Sequence, residues 1–173
     1  NSLAVILYPR ISSIENKQES IDISCQSFRI TLVVLGISGA LLYLIASPLI
    51  IFLYGIAFEQ TADVLKLAIP GVVIGSSCLT LKSYFEGSGQ ASIIPRLQIL
   101  PVILLIPLAY YLILYWGLKG AAVSFSLGSA FYGLVILVAF MWINNQSISK
   151  ILPNLKDLRI ITRLVLDNFK KRV

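Results

Sequence analysis

Lys82 is the residue whose type and position could do chemistry in this chain. Counting back from it by helical turns gives Cys78, Gly75 and Gly71, so a helix here would carry the ammonium on the same face as a seam of small residues. Ser76, Ser77, Thr80 and Ser83 add polarity to the stretch, and Glu86 lies one turn further on. Two readings stay open. In one, Lys82 supplies positive charge at the mouth of a binding cavity, with Arg10 and Arg29 contributing in the same way. In the other, its apolar stem runs along the helix and its amine reaches the membrane interface, paired with Glu86.

The remaining inventory excludes several chemistries. There is no His, so imidazole catalysis, imidazole metal ligation and imidazole proton relays are absent from the chain. Cys25 and Cys78 have no metal-ligand spacing and read as free thiols. Glu15, Glu19, Asp22, Glu59, Asp63, Glu86, Asp157 and Asp167 all avoid the middles of the apolar stretches. The sequence thus points to no catalytic residue, no metal ligand and no cofactor.

What must position Lys82 is a set of membrane helices. Hydrophobic residues make up 57% of the chain and charged residues 13%, with a mean hydropathy of +0.87; a soluble domain carries roughly a quarter charged residues. Four stretches, about 28–54, 64–85, 93–116 and 121–143, reach the roughly 20 apolar residues that cross a bilayer core. Tyr54-Gly55, Glu86-Gly87-Ser88-Gly89-Gln90 and Gly117-Leu118-Lys119-Gly120 separate them as tight connections. Pro101 and Pro107 are expected to kink the third span. Small residues at every fourth position, Gly36 and Ala40, Gly71 and Gly75, and Gly120, Ser124 and Gly128, predict close helix packing in a bundle. The chain opens at Asn1 amid apolar residues, so the expectation is a piece of a longer protein.

Alternating the connections sorts the basic residues. One set holds Arg10, Lys17, Arg29, Lys82, Arg96 and the tail residues Lys150, Lys156, Arg159, Arg163, Lys170, Lys171 and Arg172; the other holds only Lys66 and Lys119. The richer set is expected to be cytoplasmic, together with the C-terminus. Tyr110, Tyr111, Tyr115 and Trp116 then fall at the outer interface. Residues 1–14 read as the end of a transmembrane helix, 15–27 as a cytoplasmic segment, 28–143 as a bundle of four transmembrane helices and 144–173 as a basic cytoplasmic tail. In that tail Ile151, Leu155, Leu158, Ile161, Val165 and Phe169 share a face at helical spacing, suited to lying on anionic membrane lipids. The aromatic interleaving of a nucleic-acid groove is missing, so no nucleic-acid partner is expected.

Particular residues carry a family resemblance. Leu7-Tyr8-Pro9-Arg10-Ile11-Ser12 resembles the P-x-I-S end of the eighth helix in O-antigen and exopolysaccharide flippases of the MATE-like (MOP) superfamily. Pro48 to Gly55, followed by Phe58 and Ala62, is similar to the family's P-x-I-x-x-L-Y-G-x-x-F-x-x-A connection between helices nine and ten. Gly87-Ser88-Gly89-Gln90 resembles its small-residue turn after helix ten. Gly117 to Ala122 resembles the Y-G-x-x-G-A-A start of helix twelve, with Trp116 in place of the usual Tyr.

The resemblance implies an all-α integral membrane fold, the C-terminal part of a twelve-helix transporter comprising the end of helix eight plus helices nine to twelve. It implies a multi-pass protein of the bacterial inner membrane, completed by an N-terminal lobe of the same protein. That protein would translocate an undecaprenyl-pyrophosphate-linked oligosaccharide by alternating access, making and breaking no bond. A multidrug exporter of the same superfamily shares this architecture and is the alternative. From another class, a membrane polysaccharide polymerase or glycosyltransferase would call for ionisable groups in a sizeable extramembrane loop.

Overall fold

The computed structural model describes residues 17–146 and Ile151. Arg10, the helix end expected over 1–14 and nearly all of the basic tail lie outside the described residues. Within them the chain forms three long helices, α1 (Lys17–Tyr54), α2 (Glu59–Gly87) and α3 (Ile93–Asn144), with a single 3-10 turn, Ile56–Phe58, and no strand. Each of the three is long and apolar enough to cross a membrane.

Glycines set the corners. Gly55, Gly89 and Gly117 all have positive φ, which costs a residue without Cβ nothing. Gly117 lies inside α3 at φ 54, ψ −128, and there the helix reverses direction. Its two arms, 93–116 and 118–144, run antiparallel: a Cβ on Gly120 would overlap the Leu112 carbonyl, and one on Gly128 would lie 3.2 Å from Leu105 Cδ1. The four apolar stretches therefore fall on α1, α2 and the two arms of α3.

The corner at Gly117 falls in the connection expected from the sequence. Pro101 and Pro107 lie inside the first arm, whose dihedrals stay helical. Proline's fixed φ suits an α-helix, and its cost is a missing donor and a clash one turn back. Residues 17–27, which fall in the segment 15–27 read from the sequence as cytoplasmic, continue the helix of the first apolar stretch, and Ile21, Ser24, Cys25 and Phe28 turn one face of it inward. Ser24 Oγ donates to the Ser20 carbonyl at 2.8 Å, which satisfies that hydroxyl inside the helix.

α2 is the central element. It is antiparallel to α1, as Gly39 against Ile69 and Val73 and Ser47 against Lys66 show. It is parallel to the second arm of α3, where Asp63 meets Lys119, Gly71 meets Ser126, Gly75 meets Ser129, Cys78 meets Gly133 and Tyr84 meets Asn144. At 1.5 Å per residue this seam runs for about 30 Å, the thickness of a bilayer core. Gly71 and Gly75 allow backbone contact: a Cβ on Gly71 would overlap the Ser126 main chain, and one on Gly75 would lie 2.7 Å from the Ser129 carbonyl oxygen. The Gly71 amide, next to Pro70, donates to Ser126 Oγ at 2.9 Å.

The second arm thus carries two small-residue stripes. Gly120 and Gly128 face the first arm, and Ser126, Ser129 and Gly133 face α2. The packed core gathers at the end of the bundle away from Gly117, where Ile21, Cys25 and Phe28 of α1 join Cys78, Leu81, Tyr84 and Phe85 of α2, Ile94, Ile136 and Phe140 of α3, and Ile151. Tyr84, Phe85 and Phe140 pack edge to face, with centroids 5.1–6.3 Å apart, a geometry that aromatic quadrupoles favour.

Candidate functional site

Among the described residues, charge is kept to the two ends of the bundle. Between Arg29 and Tyr54 in α1, Lys66 and Lys82 in α2, Arg96 and Lys119 in α3, and Lys119 and Asn144, no Asp, Glu, Lys or Arg occurs. A charge at the centre of a bilayer costs several kcal/mol, of order 2.5–3.5 on insertion scales, and this band is free of that cost. Arg29, Lys82, Glu86 and Arg96 mark one end, and Glu59, Asp63, Lys66 and Lys119 mark the end near Gly117. The described members of the two basic sets derived from the sequence therefore lie at opposite ends. Tyr110, Tyr111, Tyr115 and Trp116 are exposed near the Gly117 end, as interfacial rings are.

Lys82 projects from α2 half-exposed, and its Nζ lies 3.4 Å from Glu86 Oε1 one turn on. An i,i+4 pair of this exposure is worth a few tenths of a kcal/mol, so it orients the lysine without locking it. Arg29 is half-buried in α1. The register set by Gly39 against Ile69 and Val73 brings Arg29 to the level of Lys82, so two of the three cations expected to act together stand at the same end of an antiparallel hairpin. Arg10 lies outside the described residues. Ser83 Oγ, buried beside Lys82 in sequence, has no hydrogen-bond partner.

The other charged end holds residues that the sequence reading passed over. Lys66 Nζ donates to Ser47 Oγ at 2.7 Å and lies 5.8 Å from the Tyr43 ring centroid, within cation–π range. One turn earlier Lys119 Nζ donates to Asp63 Oδ2 at 2.8 Å. Asp63 precedes the apolar stretch 64–85, at the aqueous end of α2. The hydrogen bond from Lys119 and its charge, with a smaller contribution from Lys66, hold the Asp63 carboxyl below the ordinary carboxylate value despite some desolvation. The attraction is therefore present above the ordinary carboxylate pKa and is lost as pH falls through the lowered one.

Tyr43 also forms one wall of a groove between α1 and α2, lined by Gly36, Gly39, Ala40, Leu44, Ile69, Pro70, Val73 and Ile74, with a volume of about 510 Å³. That is within the range of small-ligand sites, roughly 300–1,000 Å³. The spacing of Gly36 and Ala40 pointed to a packing face, yet a Cβ on Gly36 would meet no atom within 4 Å. Tyr43 and Ser47, one turn apart on α1, were the available signal for the cation's cradle; their partner Lys66 sits on the next helix, where periodicity gives no pairing. Among the described residues no cluster of Cys, Asp and Glu could hold a metal ion. No protein-family model, curated protein or solved structure matches this chain.

Proposed function

We propose that the chain is the C-terminal part of a flippase that moves undecaprenyl-pyrophosphate-linked oligosaccharides across the bacterial inner membrane. The observation that carries the reading is where the resembling motifs lie. Gly55, Gly89 and Gly117 each belong to a motif that resembles the family, and each turns a helix corner with positive φ. The reversals of the chain thus fall inside the motifs that carry the resemblance. These motifs specify topology, so the chemistry rests on the cations.

In this reading the seam between α2 and the second arm of α3 makes a stiff unit, because backbones in contact at Gly71 and Gly75 have little room to slide. Such a unit moves as a body when one lobe rocks against another. Lys82, paired only loosely with Glu86, exchanges that carboxylate for a pyrophosphate oxygen as the lipid enters, with Arg29 adding charge at the same level. Phosphate recruitment by exchange leaves the apolar band uncharged, and the band of these helices offers no carboxylate for ion coupling.

The test is transport by the full-length protein in proteoliposomes, supplied with fluorescent undecaprenyl-pyrophosphate oligosaccharide in one leaflet. The expected result is transfer to the other leaflet above protein-free vesicles. Absence of transfer together with gradient-driven uptake of cationic drugs would replace this reading with that of an exporter.

A further inference from the structure

We infer that the groove between α1 and α2 binds the acyl chain of an anionic phospholipid whose phosphate rests on Lys66 and Ser47. The groove and the cation are continuous, because Tyr43 is both a wall of the groove and the ring beneath Lys66 Nζ. From Tyr43 the groove follows α1 to Gly36, about 10 Å along the helix axis, into the band where no charged side chain occurs. Its floor is where the helices touch, with the Gly39 Cβ position 2.8 Å from Val73 Cγ2. Its depth comes from Gly36 and Ala40, which lack the side chains that would fill it. A straight hydrocarbon fits this shape, and the mouth determines its head.

At that mouth Lys66 donates to a hydroxyl, that of Ser47, and among the described residues no carboxylate forms an ion pair with it, its effect on Asp63 being the smaller one beside that of Lys119. Asp63, one turn away, is held by Lys119 at 2.8 Å. The positive charge is thus available to a phosphate at the level where the uncharged band ends, which is where a bilayer places its head groups. The Ser47 hydroxyl can donate to a phosphate oxygen while accepting from Lys66. A choline head would bring a second cation against Lys66, so a glycerol head such as phosphatidylglycerol's is favoured. This assignment stands apart from the transport reading, since it uses the opposite end of the bundle from Lys82.

The experiment places the full chain in phosphatidylcholine nanodiscs with a trace of phosphatidylglycerol carrying a diazirine midway along one acyl chain, then maps photoadducts by mass spectrometry. Adducts are expected on 36–44 and 69–74 above the level at Phe52, Leu104 and Val138, which are apolar and more exposed than most of the groove. Lys66→Gln should lower groove labelling about fivefold, the effect of roughly one interfacial cation. Gly36→Leu should lower it to the level of the comparison positions, with helicity by circular dichroism checking the fold. Even labelling of all apolar positions overturns the inference, as does equal labelling by a phosphatidylcholine tracer or an unchanged Lys66→Gln. A groove labelled less than its surroundings overturns it in favour of a second copy of the chain.

Discussion

Tyr84 and Asn144, 60 residues apart, close the parallel seam at the end where the core lies: Tyr84 Oη donates to Asn144 Oδ1 at 2.7 Å, with both residues buried. Asn144 Nδ2 donates in turn to the Phe140 carbonyl at 3.0 Å, so the amide is held at both ends. Tyr84→Phe removes the donor and leaves a buried amide oxygen unpaired. We expect a loss of about 1–2 kcal/mol in a detergent or bicelle unfolding assay. The double variant Tyr84→Phe with Asn144→Leu should recover part of it, because no polar group is then stranded; full additivity of the two single losses would refute the pairing.

Gly71 and Gly36 make a matched contrast. Gly71→Ala places a Cβ into the Ser126 main chain, whereas Gly36→Ala meets open space. The first should destabilise by about 1–3 kcal/mol through forced separation of the helices. The second should be neutral or gain up to about 1 kcal/mol from the lower backbone entropy of alanine. Equal effects in the same unfolding assay would contradict the seam.

Both thiols are buried, Cys25 at 2% and Cys78 at 1% exposure. Cys25 was expected in an aqueous segment; in the structure it faces the core. An impermeant maleimide should therefore label neither thiol in folded protein, even after permeabilisation, and both after denaturation in dodecyl sulfate. Orientation is better read in a cysteine-free background from Glu19→Cys and Gln60→Cys, both at exposed positions. The charge asymmetry predicts that Glu19→Cys is shielded in intact cells and Gln60→Cys is labelled; the reverse pattern inverts the topology.

Lys82→Gln separates structure from transport. Its pair with Glu86 is half-exposed, so unfolding free energy should change by less than about 0.5 kcal/mol. Flippase activity should nonetheless fall if pyrophosphate displaces Glu86. Normal surface polysaccharide from the full-length variant at normal abundance would reduce Lys82 to an interfacial anchor.

The parts of this fold that follow from solvent were legible in the sequence. Uninterrupted apolar stretches locate helices because lipid admits little else, and glycines at 55, 89 and 117 mark corners because only they take those dihedrals cheaply. The start of α1 was hidden by its polarity. Lys17, Gln18, Glu19 and Asp22 mark a cytoplasmic segment, and the inward face that Ile21, Cys25 and Phe28 carry at helical spacing went unread. Pairing was the deeper gap. A small-residue stripe announces that something packs closely but not what: Gly71 and Gly75 meet Ser126 and Ser129, while a Cβ on Gly36 would meet no atom of the described residues within 4 Å. For the candidate site, Lys82 could be singled out along one helix, whereas the meeting of Lys66 with Ser47 needs the hairpin itself.

The parallel seam also explains the least packed helix among the described residues. Two neighbours that run the same way through a bilayer can be joined only by a chain that travels back across it, as a crossover joins parallel strands. The first arm of α3 is that return passage. Its surface is almost wholly open, with Ile94 and Pro101 its buried positions. Its length is fixed by the membrane and its direction by the seam it serves, so what selects its residues is compatibility with lipid more than the shape of any one neighbour.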